Sequence, residues 1–166
     1  MENALSPIPV ARVDFPYRKA GKSFPDKAPV LVQCVKEEVR AFAESLGVPT
    51  SALAIGGRSM GGRMCSMAIT DENDPLRVAG LVLVSYPLHP PKKPENLRIE
   101  HLPRLTTQTL CISGTRDEFG TPDELTSAFV VVPGDVQWHW IENARHELAR
   151  RDELVAEAAA EWIRTL

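Results

Sequence analysis

Residues 78–86 read VAGLVLVSY, an apolar run with hardly any polar interruption. A strand that is half in water alternates apolar and polar side chains, so this run has to be covered on both faces. Helices packed on either side of a mostly parallel sheet meet that demand. The rest of the chain supplies the parts. Ala52 to Gly56 (ALAIG) and Thr109 to Ser113 (TLCIS) read as short buried strands, and Val136 to Ile141 (VQWHWI) as another with Val136, Trp138 and Trp140 on one face. From Asp26 to Leu46 the residues Leu31, Val35, Val39, Phe42 and Leu46 recur at helical steps, with Pro29 near the start and Gly47 and Pro49 beyond the end. Met60 to Thr70, Pro122 to Phe129 and Arg151 to Leu166 read as further helices, the last with Leu154, Ala158, Trp162 and Leu166 on its buried stripe. Residues 9–15 (PVARVDF) alternate and then meet Pro16, which predicts a short strand ending in a turn. Strands alternating with helices give a three-layer α/β/α sandwich. No linker or repeat divides the chain, so residues 1–166 are read as a single domain.

Lys and Arg total 19 against 22 Asp and Glu, a net charge of −3, so no overall positive field exists to hold nucleic acid or an anionic membrane. Cys34, Cys65 and Cys111 are far apart and set among apolar neighbours, without the paired spacing of a zinc site. They read as reduced core thiols, and no metal or cofactor is expected. No basic start with an apolar run and cleavage site opens the chain, and no segment has the length of a membrane span, which leaves the cytoplasm as the default.

Gly57-Arg58-Ser59-Met60-Gly61 spells G-x-S-x-G between a predicted strand and a predicted helix. A serine at such a turn is held in a strained conformation with its hydroxyl above the sheet, and glycines two residues to either side relieve crowding. The N–H of Met60 then lies at a helix N-terminus, suited to an oxyanion. A glycine-rich helix start capped by serine would look the same. A serine nucleophile also needs a histidine base and a carboxylate to orient it, in the chain order serine, acid, histidine. TLCIS runs into GTRDEFG, which places Asp117 for the acid ahead of Glu118 and Asp123; an Asx turn is its structural alternative. His146, in the loop between the last strand and the last helix, fits the base, whereas His139 lies inside a strand and faces opposite the tryptophans. His101 and His89 flank the lysine-rich loop. Tyr86 and His89 are expected at the pocket wall. Arg58 is expected either at the pocket mouth, attracting a carboxylate, or paired with a surface acid, and Arg63 brackets the turn on its other side.

The turn GRSMGG, the acid turn GTRDEFG and the loop NARHEL, in that order, resemble the α/β-hydrolase superfamily. More narrowly, VARVDFPYR, GGRSMGGRM, SYPLHPPKKPENLR, EHLP and GTRDEFGTPDEL look like the small hydrolase-like family near the dienelactone hydrolases. That family includes a subunit of the NSL histone-acetyltransferase complex and a testis-expressed protein. The resemblance covers nearly the whole chain and implies a triad of Ser59, Asp117 and His146. It also implies further N-terminal strands, one ending in a His-Gly-rich turn that gives the second oxyanion donor. Nothing of that kind precedes VARVDFPYR, so Met1 is expected to match an internal methionine of a longer protein.

Without the intervening strand, PVARVDF and ALAIG are expected to pair directly or to leave unpaired backbone groups inside. The leading expectation is a serine hydrolase acting on small acyl substrates, esters or related compounds. The same residues would serve an acyltransferase, and the rival class is an inactive hydrolase-like interaction module. An exposed sheet edge would recruit a second copy as a homodimer.

Overall fold

The computed structural model describes residues 2–166. In chain order the helices are α1 (Glu2–Leu5), α2 (Pro16–Lys19), α3 (Ala28–Leu46), α4 (Met60–Ile69), α5 (Pro122–Phe129) and α6 (Asp152–Ile163). The strands are β1 (Ala54–Arg58), β2 (Gly80–Val84), β3 (Thr109–Gly114) and β4 (Val136–Ile141). All pairings are parallel and the strand order is β1-β2-β3-β4.

The apolar run acts as its composition demands, with every residue of β2 buried. Successive side chains of a strand point to opposite faces. Leu81, Leu83 and Cys111 therefore join Leu31 and Val35 of α3, Met64 and Ala68 of α4, and Leu125 and Phe129 of α5 in one core. Val82, Val84, Leu110 and Ile112 meet Val155, Ala159 and Trp162 of α6 on the other side. These two cores on opposite faces of one sheet are the three expected layers.

Three expectations change. Residues 9–15 form no strand. Pro7, Pro9 and Pro16 remove backbone donors, Val13 is exposed, and no side chain of the alternating set is buried, so a ladder would gain little there. The outer edge of β1 consequently neither pairs with that segment nor lies in the interior: Gly56 and Arg58 are exposed. On α6 the buried stripe is Val155, Ala156, Ala159, Ala160 and Trp162, while Leu154 and Leu166 are exposed. Trp162 is common to both stripes, while the rest of the buried face lies one or two positions beyond Leu154 and Ala158.

Burial also reaches groups whose residue types rarely go inside. Lys36 of α3 is 3% exposed and its Nζ lies 3.1 Å from Asp71 and 3.4 Å from Asp74. His101 is buried beside α4, with Nε2 2.8 Å from Ser66 Oγ. Burial, reinforced by the charge of Arg63, lowers its pKa to about 4. Among the described residues no helix is long and apolar enough to cross a membrane.

The depressed value of His101 makes a pH prediction. The unfolded histidine takes its proton near pH 6.5 and the folded one only near 4, so between those values the unfolded state binds more protons. Stability falls as pH drops through that window, by on the order of 3 kcal/mol at full extent. Urea midpoints from pH 7 to 4.5 are expected to fall less steeply for His101→Asn than for the native chain, and parallel slopes would contradict the assignment.

Candidate active site

Ser59 joins β1 to α4 at φ 50 and ψ −120, a conformation that few L-residues adopt. Its N–H donates to Val84 O at 2.8 Å and its carbonyl accepts from Arg63 N at 3.1 Å, so the strained residue is anchored to sheet and helix at once. The close approach that permits this lies between Gly57 and Gly62. A Cβ on Gly57 would fall 2.7 Å from Gly62 N, and one on Gly62 would fall 2.5 Å from Gly57 O. The motif's second glycine, Gly61, meets nothing within 4 Å, which corrects the expectation that it relieves the crowding.

Asp117 follows β3 in a turn and is 1% exposed. One carboxylate oxygen accepts from Phe119 N at 2.8 Å, which is the Asx turn, and both oxygens lie 2.9 Å from His146 Nδ1. The turn and the acid are the same feature: the amide of Phe119 fixes the carboxylate that meets the imidazole. Gly114 lets the loop after β4 come this close, since a Cβ there would fall 2.3 Å from Ala144 O. Arg116 N donates to Ala144 O and Asn143 N to Thr115 Oγ1, both at 2.9 Å, tying the two loops together.

His146 is buried, and its Nε2 lies 2.8 Å from the Oγ of half-buried Ser59. With Nδ1–H donated to Asp117, Nε2 is left to accept from the serine hydroxyl. The Phe119 ring lies against the imidazole, centroids 4.0 Å apart and planes inclined by 31°. Phe119 therefore touches Asp117 and His146 together. The sequence places it two residues beyond Asp117, but no pattern marks it as a contact of the histidine.

The structure thus brings Ser59, Asp117 and His146 into one hydrogen-bonded line. Met60, the first residue of α4, carries an N–H that has no partner within the helix. Glu118 and Asp123 are exposed, and so is His139. Arg58 takes the second of its two expected places: it pairs with Asp152 at 3.2 Å and also donates to Glu147 O at 3.1 Å, next to His146. Tyr86 and His89 depart from expectation. Tyr86 is 1% exposed in the core, donates from Oη to Arg98 O at 2.6 Å and packs edge-on against Phe129; burial raises its pKa. His89 is buried, with Nδ1 2.9 Å from Pro90 O and Nε2 facing Glu124 at 3.6 Å. Both are drawn inward by the loop that follows β2, so neither forms an open pocket wall.

Two surface grooves of about 520 and 500 Å³ lie elsewhere, the first beside Pro16, Val30 and Cys34 and the second beside Lys36, Met67 and Arg104. Cys65 lies on α4 with Sγ 3.5 Å from Gly56 O, and burial pushes its pKa up to about 12, which leaves it unreactive as a nucleophile at neutral pH. Among the described residues no three His, Cys, Asp or Glu side chains gather as a metal site.

Residues 2–165 match the family model of the alpha/beta hydrolase domain, and the chain belongs to that family. Solved structures share the fold at low identity. SOBER1 of Arabidopsis thaliana is 15% identical with a TM-score of 0.57 over 88% of this chain and 68% of its own. An alpha-beta serine hydrolase homologue from Coxiella burnetii is 18% identical with a TM-score of 0.61 over 87% of this chain and 62% of its own. A monoacylglycerol lipase of Paleococcus ferrophilus is 15% identical with a TM-score of 0.62 over 81% of this chain and 75% of its own. This chain therefore spans about two thirds of the length of the first two.

The steric roles of the glycines separate cleanly by substitution. Gly62→Ala is expected to destabilise by about 1 to 3 kcal/mol, because backbone rather than a mobile side chain must give way. Gly61→Ala is expected to be neutral or to stabilise by up to about 1 kcal/mol, since it adds a helix-favouring methyl in open space. Urea midpoints of both variants check the pair, and equal effects would contradict the close approach.

Proposed function

We propose that the protein is a serine hydrolase that cleaves esters or related acyl compounds through an acyl-enzyme on Ser59. The observation that carries this reading is the continuous chain Ser59 Oγ, His146 Nε2, His146 Nδ1, Asp117 on a strained strand-to-helix turn. In the first half-reaction Ser59 Oγ bonds to the acyl carbon as its proton passes to His146 Nε2. The imidazolium is held by Asp117, and the developing oxyanion faces the N–H of Met60 at the start of α4. The tetrahedral species collapses, the leaving alkoxide takes the proton from His146, and an ester to Ser59 remains. A water molecule then gives its proton to His146, attacks that ester and releases the carboxylic acid, restoring Ser59.

Within the family, the resemblance to the small dienelactone-hydrolase-like proteins refines the reading towards compact esterases. Buried, unpaired Cys34, Cys65 and Cys111 accord with work in the reducing cytoplasm. A second reading, a hydrolase-like module that binds a partner, is favoured by the exposed outer edge of β1.

A fluorophosphonate probe distinguishes them. The native chain is expected to gain the mass of one phosphonyl group, Ser59→Ala none, and His146→Ala to react at least about a thousandfold more slowly. Hydrolysis of 4-nitrophenyl butyrate should follow the same order. A folded chain that neither reacts nor turns over ester would overturn the hydrolase in favour of the module.

A further inference from the structure

Phe119 has no step of its own in the reaction, yet its placement is closely determined. Its backbone is held at both ends: the N–H donates to Asp117 Oδ1 at 2.8 Å and the carbonyl accepts from His89 N at 3.1 Å. The next residue leaves no slack, since a Cβ on Gly120 would fall 3.0 Å from Leu88 Cβ and 3.1 Å from Leu125 Cγ. The ring on this fixed mount lies against the imidazole of His146, with centroids 4.0 Å apart and planes inclined by 31°. Phe119 is nonetheless only half-buried, so part of its apolar surface stays open. An open apolar surface at a fixed place beside reacting groups can bind whatever the reaction brings next to it.

The proton transfer determines what is brought there. As the acyl C–O bond breaks, the departing alcohol oxygen takes the proton that His146 Nε2 removed from Ser59, so this oxygen lies about 3 Å from Nε2. Nε2 is itself 2.8 Å from Ser59 Oγ, which restricts the oxygen to one side of the imidazole. A hydrogen bond to a ring nitrogen runs close to the plane of that ring, and the Phe119 ring covers the face of the same imidazole. The first carbons of the alcohol therefore come beside the Phe119 ring, and an aromatic group there falls within the range of about 4.5 to 7 Å between centroids over which such rings attract one another. The ring offers no hydrogen bond, so a polar alcohol loses water there without a partner in return.

We propose that Phe119 is a specificity-determining residue that selects the leaving group: the ester cleaved at Ser59 carries an apolar alcohol, an aromatic one best of all, seated on the open part of this ring. The assignment rests on the hydrolase reading above. It concerns the alcohol and not the acyl chain, because the alcohol oxygen is the atom that receives the proton of His146 during acylation.

Methyl butyrate and benzyl butyrate test it, because their alcohols are of similar acidity and both esters give the same butyryl-enzyme. The value of kcat/KM reports the steps up to acylation, so the ratio of the two values isolates the alcohol. The native chain is expected to prefer the benzyl ester about tenfold, Phe119→Tyr to keep that preference within about twofold, and Phe119→Ala to lose about fivefold or more of it. A displaced His146 or a loss of folded protein in Phe119→Ala lowers both esters alike and cancels, so a merely structural role leaves the ratio unmoved. Turnover of both esters with a native ratio near one, or a preference that survives in Phe119→Ala, would refute the leaving-group assignment while the hydrolase reading stands. A native chain that turns over neither ester and takes no fluorophosphonate removes the hydrolase reading and the assignment with it.

Discussion

The contact between Gly57 and Gly62 is the constraint on which the site depends. At this point helix backbone meets strand backbone with no side chain between them, and only residues without a Cβ allow it. The approach lets the chain reverse from β1 into α4 through a single strained residue. That residue is Ser59, and its strain is held by one bond to the neighbouring strand and one to the helix. A longer or looser connection would satisfy the same backbone groups but would leave the hydroxyl free to wander. The position of Ser59 is thus a property of packing between two elements, both of them anchored in the same core as Leu83.

The other two members of the line depend on the sheet in a different way. Parallel register puts the C-terminal ends of β1, β3 and β4 on one side, so every loop that leaves them reaches the same region. Asp117 and His146 leave adjacent strands, and Gly114 lets their loops pack backbone to backbone. The imidazole is then fixed by three contacts of unlike kind: the carboxylate at Nδ1, the hydroxyl at Nε2 and the Phe119 ring on its face. Arg58 extends this order to the sheet edge by bonding to the carbonyl of Glu147. An arginine that is only a surface ion pair by its charge therefore also braces the histidine loop.

The layers were legible in the sequence because the period of the apolar residues reports which side chains face the core. β2, β3, β4, α3 and α5 lie within two residues of their expected bounds at either end. Ser59, Asp117 and His146 were legible for another reason: the order of strand-end loops fixes which residues can meet. What was hidden depends on partners distant in sequence. PVARVDF alternates as a strand does, but alternation carries no information about whether another strand is available to pair with it. Lys36 reads as a polar interruption of α3, and only the DENDP turn brought beside it explains its burial. Tyr86 was expected at a pocket because it follows a strand end, whereas the hydroxyl finds its acceptor inside, on Arg98. Phe119 had no signal at all, since aromatic contact with a histidine of another loop has no sequence spacing.

The electrostatics of the region run against those of the whole chain. The net charge is −3, yet Ser59 stands at the N-terminal end of α4 with Arg58 before it, while the one acid in the line, Asp117, is committed to His146. Arg58 is paired with Asp152, so what remains beside Ser59 is the partial positive charge at the start of α4. A partial charge of that sign and place bears on acyl chemistry at Ser59. In the proposed reaction it would favour the negative charge developing on an acyl oxygen beside Met60. Such an effect would act in the transition state rather than in the bound complex, so it would raise rate without tightening binding.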